Sequence, residues 1–154
     1  MENIMIGFAN VFQLSNLLVC IGGLFIGVLF GALPGFSATM AVAIFVPFTY
    51  VMEPGAALLL LSALYCGGVF GGSIPAVLVG IPGTPASAPT ALEGKALVRK
   101  GEAGRALNLV TLASCFGGFV SSVALLVCAP LLAKIAKMVG QPEQMFVAIF
   151  GLSV

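Results

Sequence analysis

Two stretches carry what chemistry this chain offers: Leu33-Pro34-Gly35-Phe36-Ser37-Ala38-Thr39 and Ile81-Pro82-Gly83-Thr84-Pro85-Ala86-Ser87. Each closes an apolar run with Pro-Gly and continues with small, hydroxyl-bearing residues. Proline removes a backbone donor and clashes with the preceding turn, so each stretch should interrupt a helix and start another. A helix start presents unpaired N–H groups and about half a positive charge, enough to hold an anion without a buried Lys or Arg. Ser37, Thr39, Thr84 and Ser87 add hydroxyl donors, and carbonyls freed at the same breaks can face a cation. Gly35, Ser37, Thr39, Gly72, Ser73, Gly83, Thr84 and Ser87 are therefore the candidate residues for a solute or ion site near the membrane midplane. Two unrelated kinked helices, whose hydroxyls bond their own backbone, would read the same way.

Other chemistries lack their residues. The chain has no His, and no Lys or carboxylate stands beside a Ser or Cys in the apolar segments, so no nucleophile–base set can be assembled and an enzyme is not expected. Cys20, Cys66, Cys115 and Cys128 form no CxxC pair; they read as small packing residues, and no metal site is expected. The glycine-rich runs lack the Gly-Lys-Ser/Thr of a phosphate-cradling loop. With a net charge of +1 there is no basic stripe for nucleic acid.

The elements that must position these residues follow from composition. Of 154 residues, 60% are hydrophobic and 7% charged, and the mean hydropathy is +1.21. Soluble domains carry about 25% charged residues, so most of this surface must meet lipid. The expected class is an all-α, polytopic transmembrane bundle with broken or re-entrant helices, forming a single transmembrane domain. Ile4, Phe8, Val11 and Phe12 recur at helical spacing and suggest an interfacial helix over 1–13. Residues 14–33 are uncharged and match a core of about 30 Å at 1.5 Å per residue. A short or half span follows over 36–52, then a span over 54–72.

Residues 54–92 are uncharged throughout, too long for one crossing, so 73–92 should be a broken or re-entrant segment. Irregular backbone at membrane depth is tolerated only where protein or a water-filled cavity satisfies it; a hydrated cavity is the expectation here. Residues 93–105 form a hydrophilic loop whose Lys95, Arg99, Lys100 and Arg105 place it on the cytoplasmic side. Residues 106–132 make another span, and 143–154 start one that is cut short. The chain thus reads as partial, and with no basic residue before the first apolar run that run is expected to be retained rather than cleaved.

Gly23, Gly27 and Gly31 stack on one helix face and Gly67 and Gly71 on another, letting helices approach closely. A pair of Gly/Pro-broken segments is also how membrane carriers build solute sites. No intramembrane Asp, Glu or His offers a proton relay, and Glu53 reads as an interfacial turn carboxylate. Coupling to Na+ is thereby favoured over H+ for this part of the chain.

Gly31-Ala32-Leu33-Pro34-Gly35, Pro47-Phe48-Thr49, the run from Tyr65 to Ser73 and above all Ile81 to Leu107 resemble the large membrane subunit (TctA family) of the tripartite tricarboxylate transporters. The resemblance covers essentially the whole chain. It implies a multi-pass carrier of the bacterial inner membrane, several times longer than this chain, driven by an ion gradient. It further implies a small four-span membrane subunit and a periplasmic solute-binding protein as partners, and a small carboxylate as substrate. The chain departs from the family's usual pattern at Ser37-Ala38, at Cys66, at Gly80 and at Glu93-Gly94-Lys95-Ala96. A membrane scaffold that binds partners through its small-residue faces and transports nothing is the alternative.

Overall fold

The computed structural model describes the backbone of residues 9–138 continuously, together with Gly7, Gly140, Glu143, Met145, Phe146, Ile149 and Phe150, and the side chains of the continuous stretch as far as Lys134. The described residues are helical with no strand: α1 Leu14–Ala32, α2 Ala38–Thr49, α3 Pro54–Gly71, α4 Ser73–Leu78, a 3-10 turn Pro85–Ser87, α5 Ala88–Arg99 and α6 Ala103–Met138. By length and composition three helices can cross a membrane: Leu14–Ala32, Pro54–Leu78 and Ala103–Lys134. Ala38–Thr49 is apolar but shorter. Ile4 and Phe8, on which the expected interfacial helix rests, lie outside the described residues, as does most of 143–154.

The breaks have local causes. Leu33 precedes a proline and is extended (φ −82°, ψ 120°), which ends α1. Ser37 then caps α2, its hydroxyl accepting from the Met40 amide. Pro54 opens α3 at its first turn, where a missing N–H costs nothing. Pro47 and Pro130 both lie inside helices that continue through them.

The structure differs from the sequence reading at two places. Gly72 does not end the third apolar segment: it keeps right-handed helical angles (φ −63°, ψ −18°), so helix resumes and Pro54–Leu78 forms one 25-residue span. The irregular backbone shrinks to Val79–Thr84. Nor are residues 93–105 a loop. Good helix formers (Ala, Leu, Glu, Lys, Arg) continue α5 to Arg99. Its end is a left-handed Gly101 (φ +82°), with the Gly101 amide bonded to Val98 and the Glu102 amide to Leu97.

The chain divides into two compact units, Met1–Leu112 and Ala113–Val154. In the first, α1 and α3 pack along their glycines. A β-carbon at Gly23 would meet Leu60 and Ala63, one at Gly27 would meet Leu64 and Gly68, and one at Gly31 would meet Gly68 and Gly72. The numbers rise together, so α1 and α3 run parallel, and α2 returns the chain between them. The buried core of this unit includes Leu60, Ala63, Leu64, Ala76 and Val77. In the second unit the described side chains are all exposed, and Phe119, Val120, Val123, Val127 and Cys128 line an apolar hollow on α6. A surface of this kind is suited to hydrocarbon.

Candidate functional site

The two Pro-Gly breaks meet the same stretch of α3. Ala38, the first residue of α2, is buried against Gly68: a β-carbon there would lie 2.7 Å from that of Ala38. Gly83 and Thr84 sit on Gly72. The Gly83 amide donates to the Gly72 carbonyl at 3.1 Å. A β-carbon on Gly83 would fall 2.5 Å from the Gly31 carbonyl oxygen and 2.8 Å from the Gly72 α-carbon. Gly31, Gly68, Gly72 and Gly83 thus form a node of close backbone contact, with the Ala38 methyl packed on Gly68 and the Thr84 side chain on Gly72.

Topology sets directions at this node. α2 starts at the level of Gly68 and runs back toward the Pro54 end. Beyond Leu78 the chain folds back until Thr84 reaches the level of Gly72. α5 then climbs beside α4, with Gly94 against Val77 and Lys95 across Gly80. Two helices therefore begin near one node and leave it in opposite directions. Gly68 and Gly72 lie two and six residues beyond the middle of the 25-residue span, about 3 and 9 Å along it.

The peptide N–H groups of the second break are bonded by protein. The amides of Val79, Gly80 and Ile81 all donate to the Pro75 carbonyl, at 2.9, 3.1 and 3.4 Å. Pro82 and Pro85 have no N–H. Thr84 and Ser87 form a capping box: the Ser87 hydroxyl accepts from the Thr84 amide at 3.2 Å and donates to the Thr84 carbonyl at 2.8 Å. The Thr84 hydroxyl lies 3.3 Å from that of Ser87. Both residues are buried. No hydrated cavity is needed to satisfy these donors, because the loop returns against α3 and α4.

The first break is more open. Gly35 takes φ +95° with nothing near the position a β-carbon would occupy, so it is a turn residue at the edge of the node. Phe36 folds back edge-on to Phe30, with ring centroids 5.4 Å apart. The Ser37 and Thr39 hydroxyls are 2.8 Å apart; Thr39 is exposed and Ser37 half-buried. Ser73 is buried at the start of α4. Among the described residues no hydrogen bond joins Ser37 or Thr39 to Thr84 or Ser87. The eight candidates thus fall into one group in which Gly72, Ser73, Thr84 and Ser87 are buried and Gly83 half-buried, and a more open one (Gly35, Ser37, Thr39), bridged by Gly68 and Ala38.

Sequence reasoning missed Lys95. Gly80 is left-handed (φ +77°), and the Lys95 side chain lies over it. A β-carbon there would be 2.6 Å from Lys95 Cδ and 3.1 Å from its Nζ. The signal lay one residue away, in Gly94: a residue with no side chain between Glu93 and Lys95 leaves a place where the helix can pack closely on a neighbour. At the opposite end of the unit, Asn10, Gln13, Asn16 and Glu53 line a cavity of about 230 Å³, so Glu53 sits at a polar bundle end. Among the described residues no three His, Cys, Asp or Glu side chains group as a metal site would require.

Parallel spans, a half-length helix between them and a re-entrant turn make this chain part of a polytopic α-helical membrane protein of the broken-helix kind. Residues 17–154 match the model of the tripartite tricarboxylate transporter TctA family. The chain belongs to that family. It is also similar to a protein of Agrobacterium vitis described as an uncharacterized 52.8 kDa protein in the TAR-I ttuC' 3' region, with 38% identity over 153 residues. That alignment takes in 99% of this chain and 30% of the relative, so the chain spans about a third of the relative's length. No solved structure matches it.

Proposed function

We propose that this chain is part of the large membrane subunit of a secondary transporter that takes up small carboxylates across a bacterial inner membrane. Family membership supports transport rather than catalysis, and the family's name implies further subunits. In this reading a periplasmic solute-binding protein delivers a tricarboxylate or related anion, a small four-span subunit completes the membrane part, and a Na+ or H+ gradient drives uptake. The hydrophilic residues 93–105 lie on the cytoplasmic side.

The observation that carries the reading is the meeting of two helix starts at one glycine node. Each start brings partial positive charge, and they leave the node in opposite directions, as the half-helices of secondary carriers do. Gly35, Ser37 and Thr39 form the accessible side of the site. Gly72, Ser73, Gly83, Thr84 and Ser87 hold the second helix start in place. Bare backbone at Gly68 and Gly72 brings the starts together without a buried cation.

The test is gradient-driven flux of radiolabelled di- and tricarboxylates by the full-length protein, reconstituted with its binding protein and small subunit. Thr84→Phe and Ser87→Phe should abolish uptake while membrane insertion persists. Uptake at the wild-type rate would remove both positions from the site. The scaffold reading has one observation in its favour: Thr84 and Ser87 bond each other and leave few donors for a solute. It predicts no flux under any gradient.

A further inference from the structure

We propose that the outward face of α5 seats an anionic phospholipid, with Leu92 in the acyl layer and Lys95, Arg99 and Lys100 at the headgroups. The membrane class of the fold carries this inference, whatever the transported solute; only the leaflet, the cytoplasmic one, follows from the reading above. The first ground is depth. Cys66 is the middle of the Pro54–Leu78 span, and Val77 lies eleven residues beyond it, about 16 Å at 1.5 Å per residue. Gly94 packs on Val77 and shares its depth. Along α5, Leu92 then stands about 13 Å from the span's middle, Lys95 about 18 Å and Arg99 about 24 Å. The hydrocarbon of a bilayer ends about 15 Å from its midplane and the headgroup layer about 20–22 Å from it. An ordinary tilt of about 20° brings Arg99 to about 22 Å.

The second ground is the character of the exposed face. α5 buries Ala91 and Gly94, while Leu92, Lys95, Ala96 and Arg99, at i, i+3, i+4 and i+7, share an exposed side. Leu92 is 79% exposed, which suits hydrocarbon at its depth. Among the described residues Lys95, Arg99 and Lys100 have no ion-pair partner; the pair formed nearby joins Arg105 to Glu102. Glu93 is the acid on the same helix, so three cations stand against one carboxylate. Positive charge thus remains at the depth of lipid phosphates, where it attracts anionic headgroups. The Lys95 stem lies over bare Gly80, keeping its methylenes on apolar surface as lysines do at a membrane interface. The next candidate span begins at Ala103, so the basic row borders the membrane on both sides along the chain.

The experiment places a bimane on Leu92→Cys in the full-length protein, with its native cysteines replaced by alanine. Vesicles mix ordinary lipid with acyl-brominated phosphatidylglycerol or acyl-brominated phosphatidylcholine. Bromine quenches a dye only in contact, so the curves report which lipid stands beside α5. The anionic lipid should be preferred by roughly fivefold for each basic residue that its headgroup meets. Arg99→Gln with Lys100→Gln should erase most of that preference, and Arg99→Lys with Lys100→Arg should keep it. Equal quenching by the two lipids, or a preference that survives the double Gln variant, would overturn the inference. So would an absence of quenching by either, because the face is then covered by protein or stands in water. Inorganic phosphate, matched in ionic strength with chloride, should leave the preference unchanged; its loss would mark a free-anion site and overturn the lipid assignment. No arm measures flux, so a protein that moves no carboxylate would sink the transport reading and leave this inference standing.

Discussion

Gly31→Ala tests the backbone node directly. The added methyl would overlap the Gly68 carbonyl oxygen and lie 2.8 Å from the Gly68 carbonyl carbon and 2.9 Å from the Gly72 amide nitrogen. Nine in ten real β-carbon contacts are longer than about 3.4 Å, and the obstacles here are backbone, which cannot rotate aside. α1 must move off α3 by about 1 Å or more, since real β-carbons essentially never come within 3.0 Å of such atoms. A gap of about 0.5–1 Å already forfeits a quarter to a half of each contact's dispersion energy, and overpacking of this kind costs about 1–3 kcal/mol. Alanine returns up to about 1 kcal/mol of helix propensity, so the net loss is about 0–2 kcal/mol, and about 1–3 kcal/mol against an alanine control that gains the same propensity. Gly22→Ala on the same helix is the control, because nothing lies within 4 Å of its β-position. It should be neutral or stabilising by up to about 1 kcal/mol. Thermal unfolding of the full-length protein in detergent should put Gly31→Ala below Gly22→Ala, by less than the roughly 2–4 °C per kcal/mol of a 150–250-residue domain because the shift shrinks with size. Equal melting temperatures would refute the close approach of α1 to the Gly68–Gly72 backbone.

Other substitutions probe the remaining parts. Ser87→Ala leaves the buried Thr84 amide without its acceptor and should cost about 1–3 kcal/mol, read as a lower melting temperature; Ser87→Thr, which keeps the hydroxyl, should lose less. Gly35→Ala meets no neighbour, so only its positive φ opposes it, at about 1–2 kcal/mol. Gly80→Ala adds a collision with Lys95 to the same strain and should melt lower than Gly35→Ala. Glu102→Gln breaks an exposed ion pair of 3.0 Å to Arg105 and should change stability by less than about 1 kcal/mol in the same assay.

Much of this architecture was legible from punctuation. Uncharged runs gave the spans because lipid excludes charge, and Pro34 and Ser37 marked the first break because each acts on its immediate neighbours. The glycine spacings indicated close helix contact, but not that Gly31 faces Gly68 and Gly72, since a stripe on one helix does not name its partner. Gly72 does not fix the end of the third span, because glycine permits a break without requiring one. The charges of 93–105 suggest a loop, but Ala91, Leu92, Ala96 and Leu97 among them carry enough helix propensity to continue α5 to Arg99. The hydroxyls of Thr84 and Ser87 were recognised as donors, but their mutual capping box depends on the extended backbone of Thr84 (φ −137°, ψ 155°). Lys95 lay furthest from view. Its position follows from α5 climbing beside α4, a tertiary fact that local pattern does not contain.

The convergence of three amides on the Pro75 carbonyl has a mechanical consequence. An oxygen with two lone pairs cannot hold three donors equally, and the lengthening from 2.9 to 3.4 Å shows the bonds grading from firm to slack. Dragging the turn bodily outward breaks all three attachments at once. The re-entrant turn is thus fastened to α4 at one carbonyl, with Gly80 the middle one of its three donors.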